Sequence, residues 1–390
     1  MTETDPDVCV TVPTVREWEA VREYLHNARE HGFDTDRLHV VLVTEDWCDT
    51  AGMAAMLDDL DVSGTIFDGT GRADWIEEQG IDEYAHLVPE ASHAQTSFGL
   101  LYAWEREFPY VVFLDDDTRP HEGVDFFGRH LANLAFEGAV EEVRSDERWV
   151  NVFYQSEHDL YPRGYPYAAM DETVETGTAH VDDVVASQGL WTNVPDLDAV
   201  RILADGDLHG QAAVRTSASD FERDFVAAPG NYLTVCSMNL AIRREVIPAF
   251  YQLPMDDNPW NVGRFDDIWS GVFLRRACDV VGGRIYNGGP LCAHEKAPRS
   301  TFDDLAHEVN GLELNEHLWE VVDQAGEDCE RYAGVFAAIA DRLADGEFED
   351  WRNGEFLNHV GEYMHDWLDC LDALGTASEP SAPVPATGDD

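Results

Sequence analysis

Short apolar runs alternate with stretches of helical spacing through the first third of the chain. Residues 8–11 form a β-rich run ended by Pro13. Across 15–31, Val15, Trp18, Val21, Tyr24 and Leu25 recur near the 3.6-residue period, which predicts a helix. A second apolar run, 38–44, ends in Glu45-Asp46. Residues 50–60 are helical in pattern, and 65–67 form a third short strand followed by a loop at Asp68-Gly69-Thr70-Gly71. A helix at 95–106 leads into Tyr110-Val-Val-Phe-Leu, a run without a polar break that reads as a strand buried on both faces. This β/α alternation predicts an α/β fold with a Rossmann-like, doubly wound sheet.

Further on, the pattern predicts an amphipathic helix at 123–136, a strand at 149–154, and rigid aromatic loops at 163–167 and 189–198. Residues 263–274 read as a loop entering a helix, with Asp266 and Asp267 near its N-terminus, where the helix dipole favours acidic residues. A strand-like stretch runs from Arg284 to Leu291. From 303 to 373 the spacing is helical, with Trp319, Val322, Phe336, Ile339, Leu343, Trp351, Phe356, Tyr363 and Trp367 as expected core. The tail, rich in Pro, Ala, Ser and Thr, is expected to be disordered.

Charge changes the picture most. The chain carries 78 Asp and Glu against 25 Lys and Arg, a net charge of −53, and its single lysine is Lys296. Such a surface repels itself in dilute buffer and is screened by dense salt, as in the cytoplasm of an extreme halophile. It also argues against a nucleic-acid partner, which needs a basic footprint. Seven scattered cysteines without a Cys-x-x-Cys pair point to reduced thiols in a cytoplasmic protein. No apolar run approaches a membrane span, and the acidic N-terminus is unlike a signal peptide. Neither a Gly-x-Gly-x-x-Gly after the first strand nor a Walker loop is present, which excludes the usual dinucleotide and P-loop sites.

The candidate chemistry begins where the fourth strand ends. Asp115-Asp116-Asp117 follow it directly, and three carboxylates there repel one another unless a cation sits among them. Mg²⁺ or Mn²⁺ is the natural ion for oxygen ligands, and a metal so held commonly bridges a diphosphate. In an extended segment Asp115 and Asp117 would point to the same side. A solvated acidic turn is the plain alternative in so acidic a chain. His294 is the further candidate metal ligand, after the strand-like stretch. Lys296, two residues on, is a compact ammonium suited to phosphate in a chain that has otherwise replaced lysine.

Six motifs in order carry a resemblance. They are Asp115-Asp116-Asp117, Arg163-Gly-Tyr-Pro-Tyr, Gly189-Leu-Trp-Thr-Asn-Val-Pro-Asp-Leu-Asp, Cys236-Ser-Met-Asn-Leu-Ala, Gly263-Arg-Phe-Asp-Asp-Ile-Trp-Ser-Gly and His294-Glu-Lys-Ala. With Pro13-Thr14-Val15-Arg16 and Val43-Thr44-Glu45-Asp46, the chain resembles the reversibly glycosylated polypeptides, a family that includes UDP-arabinopyranose mutases. The resemblance implies a GT-A glycosyltransferase-like mixed sheet over 1–300, a C-terminal helical extension over 301–373 and a tail over 374–390. It implies a UDP-sugar substrate, Mn²⁺ or Mg²⁺ on Asp115, Asp117 and His294, and diphosphate contacts from Asp115, Asp116 and Lys296. Glu45 or Asp46, and Asp74, then bind uridine by analogy with other GT-A folds.

The resemblance further implies reversible transfer of the sugar to Arg163, with pyranose and furanose forms of the UDP-sugar interconverting to supply surface glycans. A guanidinium is protonated at ordinary pH, so a carboxylate must draw off its proton, or the arginine serves as an electrostatic clamp. Asp266 and Asp267 are the candidates for that carboxylate. The chain departs from the plant pattern at Ala168-Ala169-Met170-Asp171-Glu172, where a second arginine is expected, and at Thr96, near another. Two other readings stay open: a glycosyltransferase using a separate acceptor, and a non-catalytic partner that binds UDP-sugar or an active homologue. A homo- or hetero-oligomer is compatible with each.

Overall fold

The computed structural model of the chain describes residues 6–15 and 18–377. Its first half is built as the apolar pattern requires. Strands β1 (Val8–Pro13), β2 (Leu38–Val43), β3 (Ser63–Phe67) and β4 (Tyr110–Leu114) are parallel, in the order β3-β2-β1-β4. Helices α1 (Ala20–Glu30), α2 (Thr50–Asp59), α3 (Gly69–Gln79) and α4 (Gln95–Glu105) join them. Successive strands step outward from β1 to β3, and β4 then returns to the other side of β1. That reversal opens a crevice beyond the carboxyl ends of β1 and β4, where open α/β sheets bind ligands. The Asp triplet follows Leu114 directly and therefore lies in it.

The second half turns the sheet mixed. It contributes β5 (Thr118–Pro120), α5 (Phe126–Leu134), β6 (Gly138–Ser145), β7 (Val174–Val181), β8 (Val184–Asn193), α6 (Ala199–Asp205), β9 (Phe225–Ala227), β10 (Asn239–Arg243), α7 (Asp266–Val281) and β11 (Arg284–His294). β10 lies antiparallel between β4 and β8, and β11 runs parallel to β8. Among the described residues the sheet has eleven strands, ordered β3-β2-β1-β4-β10-β8-β11-β9-β6-β7, with β5 paired to β11. The expected α/β class and mixed sheet are what the chain forms.

Several local expectations change. Residues 149–154 form no strand: Trp149 makes one isolated bridge to Tyr232 and spends its ring on Tyr232 and Trp319. The strand of that region is β6, whose polar residues hid it. Of the expected loop at 189–198, Gly189 to Asn193 complete β8 instead. A Cβ on Gly189 would run into the Asn239 side chain and the Pro290 carbonyl, so glycine lets the strands close up there. Asp68-Gly69-Thr70-Gly71 begins α3, with the Asp68 carboxylate accepting the Gly71 N–H at 2.8 Å as an N-cap. The helices expected at 15–31 and 123–136 are trimmed to α1 and α5.

Helices α8 (Thr301–Val322), α9 (Tyr332–Ala344) and α10 (Glu355–Ala377) follow the last strand. Val322, Phe336, Ile339, Leu343, Phe356 and Trp367 are buried, while Trp319, Trp351 and Tyr363 pack half-buried against them. Trp367 stacks on Tyr251 with ring centroids 4.6 Å apart, and the Trp104 indole N–H donates to the Leu371 carbonyl at 3.0 Å. These contacts join α10 to the α/β body. The predicted tail lies outside the described residues, except that 374–377 belong to α10. Arg16 of the early motif also lies outside them. All seven cysteines are free thiols, five of them buried.

Candidate active site

The crevice at the end of β4 narrows into a cleft of about 160 Å³. Its walls bring together Asp115, Asp117, Arg163, Asp266, Asp267, His294 and Lys296 from four separate stretches of sequence. The triplet is a turn rather than an extended segment, since the Thr118 N–H donates to the Asp115 carbonyl at 3.2 Å. The turn still leaves Asp115 and Asp117 on the cleft, while the Asp116 carboxylate accepts the Thr14 hydroxyl at 2.9 Å.

Strand pairing explains how His294 arrives. β5 runs antiparallel to the end of β11 with Thr118 opposite His294, and the Glu295 N–H donates to the Asp117 carbonyl at 2.7 Å. His294 Nε2 therefore stands 3.7 Å from Asp117 Oδ2. Its Nδ1 donates to the Val194 carbonyl at 2.8 Å, which leaves a lone pair on Nε2 in the neutral ring. Burial, then the charges of Asp117, Asp267 and Asp116, push the Asp115 carboxyl well above its ordinary range. A cation would relieve that frustration. Among the described residues, no three His, Cys, Asp or Glu side chains stand close enough to enclose an ion by themselves. The expected trio is thus an open face of donors. Such a face suits Mg²⁺ or Mn²⁺, which keep waters and phosphate oxygens in their shell.

Arg163 is the centre of the second cluster. Its Nε donates to Asp196 at 3.0 Å, its two terminal nitrogens reach the Asp267 carboxylate at 3.3 and 3.4 Å, and one of them also meets the Arg264 carbonyl. Gly164, at φ +85°, lets this loop pack its backbone directly against Ile268 of α7. Burial alone would weaken the Arg163 charge, but Asp196 and Asp267 reverse that and hold the guanidinium well above its usual range. Asp196 is held far below the carboxylate range: burial works against it, and Arg163 and Lys296 outweigh burial. Lys296 Nζ lies 3.6 Å from Asp196, and burial depresses its ammonium despite that partner. The Cys236 thiol is pushed well up by burial and by Asp267, so it stays neutral and donates to Asp267 at 3.2 Å. Asp267 is therefore the carboxylate that reaches Arg163, and Asp266 makes no such bond.

The predicted uridine residues are placed differently. Glu45 is buried and tied to Arg72 at 3.2 Å, to the Ala91 N–H at 2.8 Å and to Gln95. It borders a neighbouring hollow with Asp115, Asp116, Asp117, Arg299 and the exposed Trp47. Asp46 accepts the Thr70 N–H at 2.8 Å, and Asp74 lies on the exposed face of α3, away from both cavities.

Three cleft residues escaped the sequence reading: Asp196, Arg264 and Arg299. Arg264 is fixed by Glu308 at 2.7 Å, and Arg299 by Asp304 at 2.8 Å, both carboxylates on α8. Their signal was available. Of 25 Lys and Arg in the chain, Arg163, Arg264, Lys296 and Arg299 all line this one cleft. In a chain so poor in cations that convergence singles out the cleft, where each of the four is paired with a carboxylate.

Comparison with known proteins gives the chain its family. The sequence model of the family described as reversibly glycosylated polypeptide matches residues 82–375. "Probable UDP-arabinopyranose mutase 2" of Solanum tuberosum is 26% identical over 292 residues, 71% of this chain and 71% of that protein. "UDP-arabinopyranose mutase 1" of Arabidopsis thaliana is 32% identical over 217 residues, 54% of each. Among solved structures, the mannosyltransferase PcManGT from Pyrobaculum calidifontis, in complex with GDP-Man and Mn²⁺, aligns with a TM-score of 0.35 at 14% identity, over 97% of this chain and 77% of that one.

Proposed function

The chain belongs to the reversibly glycosylated polypeptide family, and from that premise we propose that it is an enzyme that interconverts pyranose and furanose forms of a UDP-sugar. The observation that carries the reading is the buried Asp196–Arg163–Asp267 cluster, set in the same cleft as the open carboxylate–imidazole face. One half suits a diphosphate, the other the sugar. The Rossmann-like mixed sheet agrees with a GT-A reading, and the catalytic body spans 1–300 with 301–373 as its helical extension.

In this reading Asp115, Asp117 and His294 hold Mn²⁺ or Mg²⁺, which when bound would neutralise the departing UDP. Lys296, with Arg264 and Arg299, adds fixed positive charge for the phosphates, and Asp116 positions the turn. Glu45, which borders the neighbouring hollow, shapes the uridine end, and Asp46 and Asp74 take no part in it. Arg163 faces the anomeric carbon. At rest its guanidinium is charged and stabilises negative charge on the leaving diphosphate. If it accepts the sugar, its proton passes along the terminal N–H bonds to Asp267, whose other donor is the Cys236 thiol. The Arg163-bound sugar opens its ring and recloses on a different hydroxyl; UDP then bonds to the anomeric carbon as the bond to Arg163 breaks with its electron pair on the guanidine nitrogen, which takes its proton back from Asp267. Such an enzyme would supply surface glycan synthesis from the cytoplasm of a salt-loaded cell, alone or with a second subunit. Among the described residues no helix is long and apolar enough to cross a membrane.

The test is incubation in molar KCl with Mn²⁺ and a panel of UDP-pentoses and UDP-hexoses, followed by chromatography of the nucleotide sugars. A new UDP-sugar isomer with no acceptor present is the expected result. UDP-sugars recovered unchanged across the panel would overturn the reading.

A further inference from the structure

Beside the loops that carry Arg163 and Asp196 lies a separate chamber of about 260 Å³, which shares no lining residue with the cleft or with the hollow next to it. Those loops are the partition. Asp196 faces the cleft and its neighbour Leu197 the chamber, and Arg163 and Leu160 divide in the same way. The two loops are tied together, since the Arg163 N–H donates to the Asp196 carbonyl at 2.9 Å. Leu197 and Asp198 close the motif that begins at Gly189, and the chemistry at Arg163 gives neither of them a task.

Arg201 is the informative residue of this chamber. It stands on α6, whose N-terminus is capped by the Asp198 carboxylate, and its guanidinium lies over the Tyr161 ring at 5.7 Å. A guanidinium has five N–H donors. Among the described residues one of them is bonded, from a terminal nitrogen to the Asp159 carbonyl at 2.8 Å. The Nε–H is buried without an acceptor. The ion-pair partner, Asp159 at 3.6 Å, is on a side chain 83% exposed, and so solvated a pair contributes little. With 78 Asp and Glu for 25 Lys and Arg, an arginine so lightly paired stands out.

The rest of the lining defines the ligand class. Leu160, Leu197, Ala212 and Val214 give an apolar wall, and Arg201 is the one Arg or Lys among the lining residues. A carboxylate matches the guanidinium fork with two parallel bonds. Asp159 and Asp205, also in the lining, repel a second negative charge, which disfavours a phosphate or a dicarboxylate. The volume is just below the range of sites for drug-sized ligands, so the body of the ligand is small.

We propose that this chamber is an effector site for a small aliphatic monocarboxylate held by Arg201, and that filling it tightens the hold of the cleft on UDP. The site stands on the chamber's own residues, and the coupling rests on the nucleotide-sugar reading of the cleft. A carboxylate on Arg201 fixes the guanidinium and the Tyr161 ring beneath it. Tyr161 packs on Tyr165 with ring centroids 5.0 Å apart, so the two rings bracket Arg163 in one loop. With that loop held, the nucleotide meets an arginine already in place and spends less binding energy on ordering it.

Two measurements test it. The first is saturation-transfer NMR of isocaproate with the full chain in molar KCl, which needs no nucleotide. Isocaproate should bind, and isocaproamide should bind at least about 10-fold more weakly, the scale of a lost charge-assisted hydrogen bond. Absence of isocaproate binding, or equal binding of the amide, overturns the proposal. Isocaproate binding should also be lost in Arg201→Gln and in Ala213→Phe, which fills the chamber from an exposed position. Near-UV circular dichroism checks that each variant is folded, and undiminished binding in both overturns the assignment of the site. The second is calorimetric titration of UDP with Mn²⁺, with and without saturating isocaproate. UDP affinity is expected to rise at least about fivefold, and isocaproate affinity to rise by the same factor when UDP is bound, because coupling is reciprocal. UDP affinity indifferent to isocaproate overturns the effector role and leaves the reading of the cleft standing. Isocaproate binding with no UDP binding overturns that reading and the coupling with it, and leaves the carboxylate site.

Discussion

Arg163 is the residue on which the chemistry turns, and its neighbours explain why lysine is no substitute. Its fork meets two carboxylates and a carbonyl at once, a geometry only a planar guanidinium supplies. Arg163→Lys keeps the charge and loses the fork, so we expect isomerisation to fall by at least about 100-fold while the fold survives, the scale of losing a positioned catalytic group. Asp267→Asn should do the same without altering nucleotide binding. Initial rates and UDP titrations on the two variants check this, and near-normal rates in both would remove the cluster from the mechanism.

A second residue-scale prediction concerns acid. His130 is fully buried between Ser187 and Asn239, and burial drives its imidazole down from 6.5 to about 4. The folded state therefore resists a proton that the unfolded chain accepts. Stability linked to this group is complete above pH 6.5 and is lost as pH falls toward 4, about 3 kcal/mol at the limit. Urea midpoints between pH 7 and 4.5 should drop less steeply in His130→Asn than in the unsubstituted chain. Equal slopes would contradict the assignment.

At the scale of elements, legibility followed burial. β1, β2 and β4 are apolar on both faces and could be read directly from the sequence. β6 and β7 carry charged and small polar residues along the far edge of the sheet, and nothing in their periodicity betrays them. α7 announced itself through Asp266-Asp267, while the end of β8 was disguised by a glycine and a tryptophan that looked like a loop. The helical extension was read correctly because its aromatic residues recur at helical spacing. Trp367 carries much of its attachment, so Trp367→Ala should destabilise by about 3–5 kcal/mol, the usual cost of deleting a buried aromatic. A calorimetric shift of that size checks it, and a negligible one would mean α10 packs independently of Tyr251.

The cleft itself was half legible. Asp115, Asp117, Arg163, His294 and Lys296 stood out because each is an unusual residue for its place. Asp196 could not be separated from 77 other acidic residues, because in this chain one more carboxylate carries no information. Arg264 and Arg299 could have been read, since cations are scarce here.

For the whole molecule, a charge of −53 sets the conditions of every assay. At ~0.1 M salt the screening length is ~10 Å, too long to quiet so dense a surface. Thermal midpoints should therefore rise steadily between ~0.1 and ~2 M KCl, as self-repulsion is screened. A midpoint indifferent to salt would show that the surface charge is not a burden on the fold.

The claim beneath all of this is that the bond between sugar and diphosphate breaks and re-forms in the cleft around Arg163. Positional isotope exchange reads that event directly. A UDP-sugar carrying ¹⁸O in the bridging position is incubated with the enzyme in molar KCl and Mn²⁺, without acceptor, and the label is followed by ³¹P NMR. The account predicts migration of the label into the non-bridging positions of the β-phosphate, abolished in Asp267→Asn. A new isomer formed while the label stays in the bridge would contradict it, because the ring would then have rearranged without UDP ever leaving.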